Sequence, residues 1–190
     1  MTKIYAFIDS QNLNLGTGND ILRDKKTVYR GWKLDFKKFF IYLKDKFKIN
    51  KAILFIGYVK ENQKLYSSLK SFGYKLVYKP SIKNHQGIVK GNVDAELVLH
   101  SAAIEYQNYD QAIIVSGDGD FYCLHHFLNK NHKLLKIIIP NKYSESSLLK
   151  EFQGFKIFLY REKYKLEYKQ KNREASHIDT KSKGRVLLDD

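Results

Sequence analysis

The sequence has a single cysteine, Cys123, so no disulfide can form within the chain. That lack suits a reducing compartment and argues against a disulfide-stapled secreted scaffold. Only two prolines are present, and no Gly/Pro-rich linker divides the chain. No apolar run reaches the roughly 18 residues that a membrane-spanning helix needs. The opening MTKIYAFIDSQN has too short an apolar run for a secretory signal and lacks a cleavage-type end. A cytoplasmic protein with no membrane partner is the expectation. Cysteines and histidines at zinc-ligand spacing are missing as well. The six histidines are scattered, and structural or surface roles are expected of them, including the His125-His126 pair.

What the chain does have is length and positive charge. Its 190 residues suffice for one domain with a substantial core and a short tail. The formal net charge is +14. Residues 20–90 hold 18 basic and 5 acidic residues, whereas residues 91–160 hold 6 basic and 8 acidic. A basic stretch next to an acidic one suggests a polyanionic partner, although a lysine-rich composition alone would give the same total.

Six short apolar runs read as buried strands: 4–8, 52–57, 76–78, 112–115, 135–139 and 156–159. They lack strict alternation, as expected of a parallel sheet covered on both faces. Residues 36–47 carry an amphipathic stripe through Phe36, Phe39, Phe40, Leu43 and Phe47, which predicts a helix. Residues 63–72, 93–106 and 121–131 also read as helices, with Asn62 a weak start signal and Gly73 a stop. Alternating strands and helices predict a three-layer α/β/α domain over residues 1–160 with a mostly parallel central sheet. Residues 161–190 read as a charged segment, a short helix followed by a tail with too little apolar content to pack. Residues 14–33 and 80–91 are expected to be long loops.

Three segments carry the candidate chemistry. Phe7-Ile8-Asp9-Ser10-Gln11-Asn12 ends the first strand. Lys90-Gly91-Asn92-Val93-Asp94 crosses from a loop into a helix. Val115-Ser116-Gly117-Asp118-Gly119-Asp120-Phe121 ends the fourth strand. Ligands of open α/β sheets bind beyond the carboxyl ends of the strands, where strand order reverses, and the first and fourth strands flank that point in the commonest order. Asp9, Asp94, Asp118 and Asp120 would then converge. Clustered carboxylates repel one another, and a divalent cation relieves the repulsion. An all-oxygen donor set suits Mg²⁺ or Mn²⁺. Asn12 is a candidate for orienting water or contacting phosphate, Lys90 for neutralising phosphate charge, and Ser116 for hydrogen-bonding a liganding carboxylate. Each has a plainer reading. Asp9 could simply cap a helix, Asp94 could be an ordinary first-turn acid, and SGDGD could be a turn; it lacks the closing Glu of a calcium loop. Glu96 could assist. Tyr29, Tyr58 and Tyr66 are possible base-stacking residues, and Cys123 is expected to be buried and inert.

Taken in order, FIDSQNL at 7–13, KGNVDAEL at 90–97 and VSGDGDF at 115–121 resemble the NYN family of PIN-like nucleases, in particular its LabA-like branch. The resemblance spans roughly residues 3–160. It implies a PIN-like Rossmannoid domain that binds Mg²⁺ or Mn²⁺ through Asp9, Asp94, Asp118 and Asp120, with Asn12 in the polar first-strand position, and that acts on RNA. The chain departs from the pattern at His100, near where many LabA-like members carry a further acid, so one metal or two is left open. The expectation is a metal-dependent ribonuclease, endonucleolytic, acting on single-stranded or loop RNA. The alternative is a non-catalytic RNA-binding or regulatory module of the same fold. A homo-oligomer fits the sequence, but no segment locates an interface. Haloacid-dehalogenase-like chemistry is disfavoured because Asp9-Ser10-Gln11 breaks the D-x-D it needs.

Overall fold

The computed structural model describes residues 2–79 and 93–170, with 80, 82–83 and 89–90 as backbone only. In chain order, β1 (Ile4–Asp9) leads into α1 (Ser10–Gly18), then a hairpin of β2 (Ile21–Arg23) and β3 (Lys26–Tyr29). Next come α2 (Phe36–Phe47), β4 (Lys51–Tyr58), α3 (Gln63–Phe72) and β5 (Tyr74–Pro80), and then the short antiparallel pair β6 (Ile82–Lys83) and β7 (Val89–Lys90). The second half runs through α4 (Asp94–Leu99), β8 (Gln111–Val115), α5 (Tyr122–Lys130), β9 (Leu134–Ile139), β10 (Lys156–Phe158) and the single turn α6 (Lys163–Leu166).

The central sheet has six strands in the order β10-β9-β8-β1-β4-β5. All five neighbouring pairs are parallel. All six apolar runs read from the sequence became its strands. Strand order reverses between β1 and β8, as expected for a doubly wound sheet.

Alternate residues of each strand enter opposite cores. Ala6, Ile8, Ala52, Leu54, Ile113 and Val115 face α1, α2, α3 and α6 through Leu13, Phe39, Leu43, Leu69 and Leu166. Tyr5, Phe7, Ile53, Phe55, Ala112 and Ile114 face α4 and α5 through Leu97, Leu124 and Leu128. Each fully buried Leu, Ile or Phe contributes about 1.5–3 kcal/mol, so both faces supply substantial driving force. This is the three-layer α/β/α arrangement.

Local signals explain most element ends. Asp35 Oδ1 accepts from the Lys37 and Lys38 amides at 3.0 and 3.1 Å and caps α2. Gly73 ends α3 at φ 109°, and an added Cβ there would lie 2.4 Å from Phe40 Cζ. Asn62, read as a start signal, makes no side-chain capping bond; a 3-10 turn, Lys60–Asn62, leads into α3 instead.

Three expectations need correction. Residues 14–33 are not a long loop, because α1 continues to Gly18 and a hairpin follows. The hairpin turn has Asp24 at φ 49° and Lys25 at φ 61°, a left-handed pair whose usual glycine signal is missing. The predicted helix over 93–106 changes character after Leu99 into a π-type turn, His100–Ile104. There Ser101 Oγ donates to the Leu97 carbonyl at 2.8 Å, and Tyr109 Oη donates to the Ser101 carbonyl at 2.6 Å, drawing the backbone out of register. Finally, Cys123 is exposed rather than buried, because α5 turns Leu124, His125 and Leu128 inward. Of the expected loop 80–91, residues 82–83 and 89–90 pair as β6 and β7, while 81, 84–88 and 91 lie outside the described residues.

The chain stays packed past residue 160. Leu166 is buried, and Leu34 bridges Glu167 beside the start of α2.

Opposite the carboxyl ends of the strands, Glu105 is buried against Lys51 at 3.1 Å and Lys75 at 2.8 Å, with Asn108 donating at 3.1 Å. Burial alone would raise its carboxyl, but these bonds outweigh it and hold it at about 2. The folded state therefore favours the charged form. That stability is complete above the ordinary 4.5 and is lost as pH falls towards about 2. With both lysines part-exposed, the cluster is worth about 2 kcal/mol. Denaturant titrations should show Glu105→Gln destabilised by this amount at pH 7, with the gap to wild type closing below about pH 4. An equal gap at pH 3 and pH 7 would contradict this account.

Candidate functional site

A cavity of about 830 Å³ opens beyond the carboxyl ends of β1 and β8. Asp9, Asp94, Asp118 and Asp120 all line it, as does Asn12. Three distant sequence segments thus meet at the point where strand order reverses.

Asp9 ends β1 and is nearly fully buried, at 4% exposure. Its Oδ1 accepts from the Gln11 and Asn12 amides, both at 3.0 Å, and so caps α1. The plain reading of a helix cap holds, and the same side chain also lines the cavity. Its Oδ2 lies 3.5 Å from Ser116 Oγ, the outer limit for a hydrogen bond. Burial raises the Asp9 carboxyl to about 6 against the opposing pull of the backbone amides, and the charges of Asp94 and Asp118 add to the rise.

Asp118 caps the 3-10 turn Gly119–Phe121 by accepting from the Asp120 amide at 3.0 Å. Its own amide donates to Ser116 Oγ at 3.2 Å. Ser116 is fully buried and touches both acidic segments. Asn12 Oδ1 accepts from the Gly117 amide at 2.9 Å, tying α1 to the SGDGD turn. Half of the Asn12 amide is thus spent on position. Asp94 stands in the first turn of α4, beside buried Val93.

The donor set is all oxygen and shares one cavity, which fits a hard divalent cation in kind. Among the described residues, however, no three His, Cys, Asp or Glu side chains are drawn together into a metal-holding group.

Other sequence candidates lie elsewhere. The Lys90 side chain lies outside the described residues. Glu96 pairs with Lys79 at 3.3 Å and does not line the cavity. The His100 ring packs edge-on against Phe55 at 5.5 Å; burial, and then Lys75, lower its pKa. It also lies off the cavity. Tyr29 and Tyr66 are buried and bonded to backbone, so neither offers a face to a base; Tyr58 is part-exposed.

The cavity also uses residues that sequence reasoning did not single out. Asn141 follows β9 and is fully buried. Its Nδ2 donates to the Gly16 carbonyl, and its Oδ1 accepts from the Tyr143 and Ser144 amides at 2.9 and 3.0 Å. It thereby stitches the segment after β9 to α1. Its place just after a strand's carboxyl end was a usable signal. Asp20 and Ile21 reach the cavity from the hairpin, which had been read as loop.

Comparison with known proteins agrees with this geometry. Residues 3–159 match the model of the NYN domain family. A crystal structure of a protein of unknown function from Vibrio parahaemolyticus RIMD 2210633 superposes with a TM-score of 0.59 at 21% identity, covering 79% of this chain and 88% of that one. At that identity the likeness concerns the fold alone. Comparison with curated proteins gives no match.

Proposed function

From the premise that this chain belongs to the NYN domain family over residues 3–159, within the PIN-like nucleases, we propose that it is a divalent-metal-dependent ribonuclease. The observation that carries this reading is the shared cavity. Asp9, Asp94, Asp118 and Asp120 line it from three segments beside Asp20, and one of them, Asp9, is buried and raised to about 6 by burial and by its acidic neighbours. An acid held in that state is poised to gain from a cation.

Asp9, Asp94, Asp118 and Asp120 would hold Mg²⁺ or Mn²⁺. When bound, the ion supplies an acidified water and offsets charge on the phosphate. The rest falls to the chain itself. Ser116 Oγ orients the Asp9 and Asp118 segments, and Asn12 holds the SGDGD turn against α1. Asn12 and Lys90 are assigned to the substrate phosphate. Asp9 sits recessed in the cavity, so a flexible single strand or loop suits it better than a rigid duplex. We assign the chain to the LabA-like branch on its FIDSQNL, KGNVDAEL and VSGDGDF segments, and take the enzyme to be cytoplasmic and endonucleolytic. No helix among the described residues is long and apolar enough to cross a membrane.

A second reading is a non-catalytic RNA-binding module. The absence of a closed three-donor group among the described residues favours it.

Cleavage of a labelled, unstructured RNA with Mn²⁺ or Mg²⁺ separates the two, run beside excess chelator and an Asp118→Asn variant. Metal-dependent cutting that the variant loses is expected, together with a Mn²⁺-induced rise in melting temperature that the variant lacks. A circular RNA that is opened establishes endonucleolytic action, and a DNA of the same sequence tests the sugar preference. Folded protein that binds RNA but never cuts it with either metal would hand the case to the binding module.

A further inference from the structure

The mouth of the cavity carries a second organised group. The hairpin β2–β3 and the segment after β9 meet at Tyr143. Arg23 Cζ lies 5.6 Å from the Tyr143 ring centroid and Lys142 Nζ lies 5.0 Å from it. Buried Tyr29 backs the ring, with centroids 6.5 Å apart. Ile21, two residues before Arg23, and Ser144, two after Lys142, both line the aspartate cavity. The two cations therefore stand at its rim.

Their surroundings differ from those of many other cations. Lys46, Lys51, Lys75, Lys79, Lys156, Lys163 and Lys165 each meet a carboxylate. Among the described residues, neither Arg23 nor Lys142 does. An aromatic face gathers cations without neutralising them, so their charge stays available to a third party. Both side chains are exposed, and the ring between them is half-buried. The group is also anchored. Asn141 fixes the segment that bears Tyr143, and at the hairpin base Tyr29 Oη donates to the Thr17 carbonyl at 3.0 Å while Asp20 accepts from the Gly31 amide at 2.7 Å.

We propose that Arg23 and Lys142, gathered on Tyr143, form the site that grips the backbone phosphates of a single-stranded RNA at the entrance to the aspartate cavity. The carboxylates of the cavity repel a polyanion, so a strand reaching them needs positive charge at the mouth, and these two cations stand there with no acid paired to them among the described residues. The Tyr143 ring holds the two cations side by side at the mouth. The proposal deepens the ribonuclease reading, but its test is independent of turnover.

The test is fluorescence anisotropy of a labelled single-stranded oligoribonucleotide with the full chain, in chelator, across a salt series. The Arg23→Gln/Lys142→Gln pair should weaken binding about tenfold at low salt and flatten the logarithmic salt slope by about 1.4. A Lys44→Gln/Lys130→Gln pair removes the same charge in the last turns of α2 and α5, at the opposite end of the sheet. It should change affinity less than about twofold. Tyr143→Phe should keep affinity, whereas Tyr143→Leu should lower it about tenfold. Equal losses from the two pairs, or no RNA binding by wild type, would overturn the rim site. Rim-dependent binding without any metal-dependent cutting would keep the rim and overturn the nuclease reading.

Discussion

Replacing Asp9 with asparagine should abolish RNA cleavage, on the order of 10³-fold, and yet raise the melting temperature of the metal-free protein. The two effects share one cause. Asp9 is buried beside Asp94 and Asp118, and the fold lifts its carboxyl from 3.8 to about 6. The folded chain therefore prefers the protonated form, and at pH 7.5 it carries a charge it would rather lose. Asparagine removes that charge and still accepts the Gln11 and Asn12 amides, since it caps helices as well as aspartate does. The expected gain is about 2 kcal/mol, or about 4–8 °C for a chain of this size. Because the folded-state value is raised, wild type regains the lost stability as pH falls through about 6 towards about 4, and the gap to the variant closes there. Thermal melts in chelator at several pH values measure this directly. A variant less stable than wild type at pH 7.5 would show that the Asp9 charge is not strained; retained cleavage would remove Asp9 from the site. Such a trade, in which the residue that performs chemistry weakens the empty fold, is common at functional sites.

Asn141→Leu should destabilise the protein by about 3 kcal/mol, or about 6–12 °C, the largest stability loss expected here from a change close to isosteric. Asn141 is fully buried and makes three bonds, to the Gly16 carbonyl and the Tyr143 and Ser144 amides. Leucine fills the same space but leaves these groups without partners, and a buried polar group stripped of its bond costs about 1–3 kcal/mol. Asn141→Asp keeps an acceptor for both amides but sets a carboxylate oxygen against the Gly16 carbonyl, so it should lose stability as well, more at about pH 7.5 than at about pH 4. RNA affinity should fall with Asn141→Leu as well, because the segment that bears Lys142 and Tyr143 loses its tie to α1. Chemical denaturation and anisotropy on the same samples check both. A leucine variant melting within about 2 °C of wild type would mean that the segment is held by other contacts.

Much of the architecture was legible in the sequence because it rests on local pattern. Continuous apolar runs such as 52–55 and 112–115 can be satisfied only between two helical layers, which is where they lie. The stripe of Phe36, Phe39, Phe40, Leu43 and Phe47 has one helical solution, and α2 has those bounds. Asp9, Asp94, Asp118 and Asp120 were visible as candidates because acids at strand ends and helix starts follow from how parallel sheets bind ligands. Elements without such pattern were missed. α1 reads SQNLNLGTG, polar and glycine-rich, and buries only Ser10, Leu13 and Thr17; it is helical because Asp9 caps it and the sheet accepts Leu13. The hairpin turn at Asp24-Lys25 has left-handed backbone without the glycine that would announce it.

Local pattern is enough for the layers, for the strand set and for marking four aspartates as candidates, since hydrophobic period and strand-end chemistry act within a few residues of each other. Only the tertiary structure decided that Asn12 holds Gly117 across 105 positions, that Asn141 holds Gly16 across 125, and that Arg23 and Lys142 share one ring. It also decided how strongly Asp9 feels Asp94 and Asp118. Burial, charge coupling and hydrogen bonding between distant segments depend on distances that no local pattern encodes, and they exist only once the two cores have closed on the sheet.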